Sequence, residues 1–439
     1  MSPASPPEHT LNRHWLWALF AGIFVAIAIL KFSTPPILDD QVEAPKTGIE
    51  WLFFSWPNMV GQALLAGLCL SSVRSIRRHN AAPSWLLLLP GIWLSWQILC
   101  TANTIHLGLT RATLAHFTSL VLLFYLGYFA LSRQGDLRGF RGPVLIGFVF
   151  VLWSGLEQRF GGLQATREMI YAQPNWQELP PEYLEKIAKD RIFSTLFYPN
   201  AFAGGILLLT PLCAVSVWLA SARLQTPSRI VIVGTFALTA LACLYWTESK
   251  SGWLVCLVLG VVFALLSSLA KQIKITALAI LLIGGLAGFF WKYADYFDKG
   301  ATSVTARFDY WQAAWSTAKA NPLFGSGPGT FMKAYAKIKP PEAEMARLAH
   351  NDYLQQASDS GFLGAFLYAT FIGAALYYSW KRVPIGPLQG AVWYGLLGFA
   401  IQSFVEFGLH IPALSWSFFL LLGWLLGQKA STAKSASPL

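Results

Sequence analysis

The sequence predicts an all-α integral membrane protein of about 12 transmembrane helices with a large helical external loop, and three observations lead there. The first is composition: 55% of the 439 residues are hydrophobic and 12% charged, against about 25% charged in soluble domains, and mean hydropathy is +0.49. The second is arrangement, because the apolar residues come in runs long enough for a hydrocarbon core of about 30 Å, where only a helix satisfies its own backbone. The third is the basic residues. A net charge of +11 could suggest nucleic acid, but these residues sit in short clusters between apolar runs and form no continuous face, so they report topology.

The runs fall near 15–32, 51–73, 83–101, 113–132, 143–158, 195–221, 230–247, 252–270, 275–291, 362–380, 388–406 and 412–427. With the N-terminus in the cytoplasm, the cytoplasmic connections carry fifteen Lys and Arg, among them Arg13, Arg133, Arg223, Lys271 and Lys381, against two acids, Glu8 and Asp136. That side sums to +13 and the other to −2. Lys and Arg in short loops are retained in the cytoplasm, so both termini are expected there. The chain then divides into a cytoplasmic tail 1–14, helices one to nine over 15–291 with an external loop near 159–194, a large external loop 292–361, helices ten to twelve over 362–427, and a cytoplasmic tail 428–439. No small-residue cleavage site follows the first run, which is expected to stay as a span. Cys69, Cys100, Cys213, Cys243 and Cys256 lie in or beside apolar runs with no metal-type spacing, and no disulfide framework or metal is expected.

Three outer connections exceed a tight turn. The first, about 33–50, is acidic and proline-rich and is expected to be a solvated loop. In the second, PEYLEKIAKDR suggests a short helix opened by proline, which puts Arg191 at the membrane mouth. In the third, Phe308, Trp311, Trp315 and Ala318 recur on one face of a helix that Asn321-Pro322 stops. GSGPGT at 325–330 lacks the Gly-Lys-Ser/Thr of a phosphate-binding loop and suits a turn.

This third segment gathers Arg307, Asp309, Lys333, Arg347, His350, Asn351 and Asp352 between two lipid-compatible runs. Polar material on that scale calls for water or a substrate. An imidazole with pKa near about 6.5 can take a proton from a sugar hydroxyl, and His350 stands in the right place for it. A lone histidine there could equally be an interfacial residue with satisfied nitrogens. Arg191, Lys250 and Arg307 come from three outer segments; singly each would snorkel, and together they would cradle a phosphate or diphosphate. Glu406 ends the eleventh run and either acts in the site or reaches water. His116 and His410 suit the core or the interface. Trp176, Tyr310, Trp311 and Trp315 could stack on sugar rings, with interfacial anchoring the commoner reason for aromatics here.

Four stretches resemble the O-antigen ligase family: RIFSTLFYPNAFAGGILLLTPL (191–212), TESKSGWLVCLVLG (247–260), ARFDYWQAAWSTAKANPLFGSGPGTF (306–331) and HNDYLQQASDSGFLGAFLY (350–368). With the closing runs, the likeness covers about half the chain, roughly 190 to 426. The resemblance implies a GT-C-like membrane glycosyltransferase without cofactor or metal. It implies transfer, outside the cytoplasm, from an undecaprenyl-diphosphate-linked glycan to an acceptor hydroxyl such as that of lipid A–core, at the bacterial inner membrane. By motif, His350 matches the family's catalytic histidine, Arg307 and Lys250 match basic residues thought to hold the diphosphate, and Arg191 matches a recurrent base ahead of Pro-Asn. Asn351, Asp352 and Glu406 are possible supporting residues. Lys250 stands where arginine is usual; it supplies the charge without the planar fork.

The same chemistry serves a ligase onto lipid A–core, a polymerase extending glycan on its carrier, or a protein O-oligosaccharyltransferase, which differ in acceptor. From another class, twelve spans could make a transporter, but transporters tend to place ionisable groups at mid-membrane, whereas here they concentrate in one external loop.

Overall fold

The structure, a computed structural model, describes residues 13–73, 75–76, 81–172, 176–178, 184, 188–196, 198–298, 302–341, 343–382 and 386–428. Among these residues every regular element is helical and no strand occurs. The helices that carry the fold are α1 (Arg13–Lys31), α2 (Gly48–Phe53), α3 (Asn58–Ser72), α4 (Ser84–Leu99), α5 (Leu107–Phe129), α6 (Arg138–Glu157), α7 (Leu163–Tyr171), α8 (Pro199–Ala220), α9 (Thr226–Trp246) and α10 (Lys250–Leu266). They continue with α11 (Lys271–Lys292), which contains a π turn, then α12 (Thr302–Ala320), α13 (Phe331–Ile338), α14 (Asp352–Arg382), α15 (Pro387–Gln402) and α16 (Pro412–Leu426).

Each of the twelve apolar runs overlaps one of these helices. Seven of the helical stretches among the described residues are long and apolar enough to cross a membrane, with four shorter apolar helices beside them. Their burial separates two kinds of apolar helix. Every residue of α16 is buried, Trp416 and Phe418 to Leu420 completely, and a helix apolar all round belongs in a core. It packs on α5 through a close backbone approach: a Cβ on Gly423 would stand 1.9 Å from the Phe124 carbonyl, and one on Gly127 would stand 2.1 Å from that of Leu420. Small residues let membrane helices touch this way. By contrast, α11 leaves Ile280, Ile283 and Trp291 exposed, as a lipid-facing helix does.

The outer connections are more structured than loops. Phe32 to Leu38 are buried apart from the half-buried Thr34, a 3-10 turn at Pro36–Gln41 packs on α5, and Asp39 accepts the Asn58 amide at 2.8 Å; the expected solvated loop is therefore confined to about 40–50. Past Glu157 the chain kinks at Phe160–Gly161 and continues into α7. The helix expected at PEYLEKIAKDR falls largely outside the described residues.

In α12 the amphipathic face is turned from the expected one. Phe308 and Trp315 are exposed, while Tyr310, Ala313, Ala314, Thr317 and Ala318 are buried against α13 and α14. The sequence pattern favours the large aromatics as the buried stripe; the helix instead presses its alanines and Tyr310 inward, while the exposed Trp315 packs edge-on against Phe362 of α14.

The most polar part of the long segment is buried as well. Residues 355 to 361 are all buried in the first turns of α14. Gln356 Oε1 accepts from Trp93 Nε1 and Gln97 Nε2 (2.9 Å each), Trp96 Nε1 donates to the Ser360 carbonyl (2.9 Å), and Asp359 Oδ2 accepts the Gly329 amide (2.9 Å). This polarity holds the helix against α4 and the glycine turn rather than facing water, since buried polar groups must be paired. At Ser360–Gly361 the helix breaks, with Gly361 at φ 72. The expected turn at 325–330 likewise needs its glycines: Gly325, Gly327 and Gly329 all have positive φ, and a Cβ on Gly329 would stand 2.0 Å from Thr113 Oγ1.

Candidate active site

Five segments meet at one end of the bundle, and Glu406 is the residue they share. α15 ends at Gln402, and the turn that follows drops the Glu406 carboxylate into the protein. Its Oε1 accepts from Arg307 Nη2 (2.5 Å), Asn200 Nδ2 (2.8 Å) and Ser251 Oγ (3.2 Å), and its Oε2 lies 3.3 Å from His350 Nδ1. The Arg307 charge, the His350 ring and the Ser251 hydroxyl all face this buried carboxylate.

His350 is set by its backbone and two rings. Its φ is 50, left-handed and costly for a residue with a Cβ. Trp311 Nε1 donates to its carbonyl at 3.3 Å. Tyr310 lies nearly parallel to the imidazole with centroids 5.9 Å apart, and Phe407 meets it edge-on at 4.7 Å. Burial, with nearby carboxylates, pushes the Tyr310 phenol up to about 12, so that ring stays neutral. The next two residues lock the turn in place. Asn351 Oδ1 accepts the Leu354 amide, capping α14. Asp352, fully buried, accepts the Leu409 amide at 2.9 Å and donates its own amide to the Ser403 carbonyl at 2.8 Å. Both residues hold backbone, binding the His350 turn to the Glu406 turn.

The three cations converge. Arg191 donates through Nε to the Thr247 carbonyl (2.9 Å) and through Nη2 to Asn200 Oδ1 (3.0 Å). Burial lowers its pKa, and the carboxylates of Glu248 and Glu406 work against that. Lys250, at the N-terminus of α10, lies with its ammonium 3.7 Å from the centre of the Tyr296 ring and 4.9 Å from that of Tyr293. It is close enough to Arg191 and Arg307 for their like charges to act on it. Among the described residues the non-glycine positions with positive φ are Ser194, Glu248 and His350. Each flanks one part of this cluster, and strained backbone of this kind concentrates where geometry is imposed on a site.

The structure thus brings together His350, Arg307, Lys250, Arg191 and Glu406, and gives Asn351 and Asp352 a supporting place behind them. His116 and His410 are buried in the core; His116 Nε2 pairs with the Leu409 carbonyl at 2.9 Å. Trp176 packs on Tyr171, and Arg347 reaches Gln41 in the first connection at 3.1 Å. Three members escaped the sequence reading: Asn200, which bridges Arg191 to Glu406, Ser251, and Phe407. Asn200 had a signal in Tyr-Pro-Asn, since a polar residue in the first turn of an apolar helix must find a partner.

Chemically, Glu406 can fix the imidazole with its Nδ1 hydrogen inward, leaving Nε2 as a free acceptor, the arrangement of a general base. Each arginine spends part of its guanidinium on anchoring and keeps other N–H groups for a ligand. Among the described residues no group of three His, Cys, Asp or Glu gathers at metal-binding spacing. Residues 235–369 match the family model described as O-Antigen ligase. No curated protein matches the chain. The matched stretch holds Lys250, Arg307 and His350, whereas Arg191, Asn200 and Glu406 lie outside it.

Proposed function

We propose that this chain, which carries the O-antigen ligase family domain over residues 235–369, moves a glycan from an undecaprenyl-diphosphate carrier to an acceptor hydroxyl such as that of lipid A–core. The observation that carries this reading is the meeting of His350, backed by Glu406, with three cations from separate parts of the chain. His350 Nε2 takes the acceptor proton as the acceptor oxygen bonds to the anomeric carbon. The bond from that carbon to the diphosphate breaks, and its electron pair leaves with the diphosphate. Arg191, Arg307 and Lys250 meet the charge that develops there, and Glu406 steadies the imidazolium. Diphosphate is a good leaving group, so positioning, charge and one base suffice without a metal.

The charge asymmetry of the connections supports an outward-facing site with both termini in the cytoplasm of a bacterial inner-membrane protein of about twelve spans. On that topology the boundaries stand near 14, 291, 361 and 427, with 292–361 as the periplasmic cap.

Deletion of the chain's coding sequence, followed by analysis of carrier and surface glycans, tests the acceptor. Long polymer left on undecaprenyl diphosphate with bare core is the expected result. Single repeat units on the core would instead mean a polymerase, and a glycoprotein shift with unchanged lipopolysaccharide a protein ligase.

A further inference from the structure

We propose that Tyr296 is a positioning residue that sets the spacing of Lys250 and Arg307, so that a lysine can serve in the diphosphate cradle; this rests on the function proposed above. Lys250 lacks the planar fork that would fix a guanidinium, and a lysine side chain is flexible. Among the described residues its ammonium makes no hydrogen bond and no close ion pair, although the Glu248 carboxylate acts on it from further off. What it has is the face of Tyr296 at 3.7 Å and that of Tyr293 at 4.9 Å. An aromatic face attracts a cation without carrying a countercharge. The ammonium is therefore held by ring faces with no carboxylate in direct contact, and the side of it turned from the rings stays available to an anion.

Tyr296 also reaches the second cation. Its hydroxyl lies 2.6 Å from Ser303 Oγ and accepts the Val304 amide at 3.1 Å, in the first turn of α12. Arg307 lies one turn further along the same helix. One side chain thus stacks on Lys250 and grips the helix that bears Arg307. Tyr293 adds a buried hydroxyl that has no partner among the described residues, a donor left over for a phosphate oxygen.

The test is titration of the purified full chain in nanodiscs with undecaprenyl diphosphate, alongside donor KM and kcat. Tyr296→Leu is expected to weaken binding and raise the donor KM about 3- to 30-fold, with any fall in kcat the smaller effect, and Tyr296→Phe, which keeps the ring, to recover most of the loss. Ser303→Ala leaves the ring intact and should raise KM in the same direction by less; it serves where Tyr296→Leu does not insert or fold. Wild-type affinity and KM in a folded Tyr296→Leu protein would overturn the inference and leave the function standing, as would a loss confined to kcat. A wild-type protein that binds no undecaprenyl diphosphate would overturn the functional reading, and this inference with it.

Discussion

Glu406 was legible in the sequence only as an acidic residue at the end of an apolar run, with nothing to separate a solvated carboxylate from a buried one. In the structure it receives groups from α8, α10, α12 and the His350 turn. Such long-range convergence leaves no local signature, so the hub could not be deduced, although His350, Arg307, Lys250 and Arg191 could be named by motif. Glu406→Gln should lower the melting temperature, because Arg307, Asn200, Ser251 and His350 all meet on this carboxylate. Thermal unfolding in detergent checks it; an unchanged melting temperature would mean that Glu406 does not tie these segments together. The same variant leaves the half-buried Arg307 without its counter-ion, a loss of at most about 3 kcal/mol.

At the scale of elements, α12 and α14 show what pattern reading gains and misses. That α12 is a helix ending at Asn321-Pro322 follows from spacing and the proline. Its phase does not, because alanine and the large aromatics both suit an inner face and spacing alone does not rank them. Polarity misleads over 352–361, since Gln356, Asp359 and Ser360 look solvated until partners from α4 and the glycine turn arrive. Gly361 at the break carries a sharp expectation. It has φ 72, and a Cβ there would stand 2.1 Å from the Leu323 carbonyl. Gly361→Ala should destabilise the protein by at least about 1–3 kcal/mol, read as a fall in melting temperature. An unchanged value would show that the break is not fixed by this glycine.

For the molecule as a whole, the apolar runs gave the helices but not their depth. The runs 275–291 and 412–427 are both free of charged residues, yet α16 in the second is buried throughout while α11 in the first leaves large apolar side chains exposed. Two tryptophans make the contrast measurable. Trp416, fully buried, should cost about 3–5 kcal/mol when changed to alanine, while Trp291, 82% exposed, should cost within about 0.5 kcal/mol. Equal losses would contradict the arrangement. The central claim, that His350 on Glu406 activates an acceptor while three cations hold a diphosphate, is tested most directly by transfer with purified components. A glycan on undecaprenyl diphosphate and a lipid A–core acceptor are mixed with wild-type protein or with folded His350→Ala, and product is followed on a gel. The account predicts transfer by the wild type, reduced about 10²–10⁴-fold in the variant with donor binding retained. Undiminished transfer by a folded, inserted His350→Ala protein would contradict it.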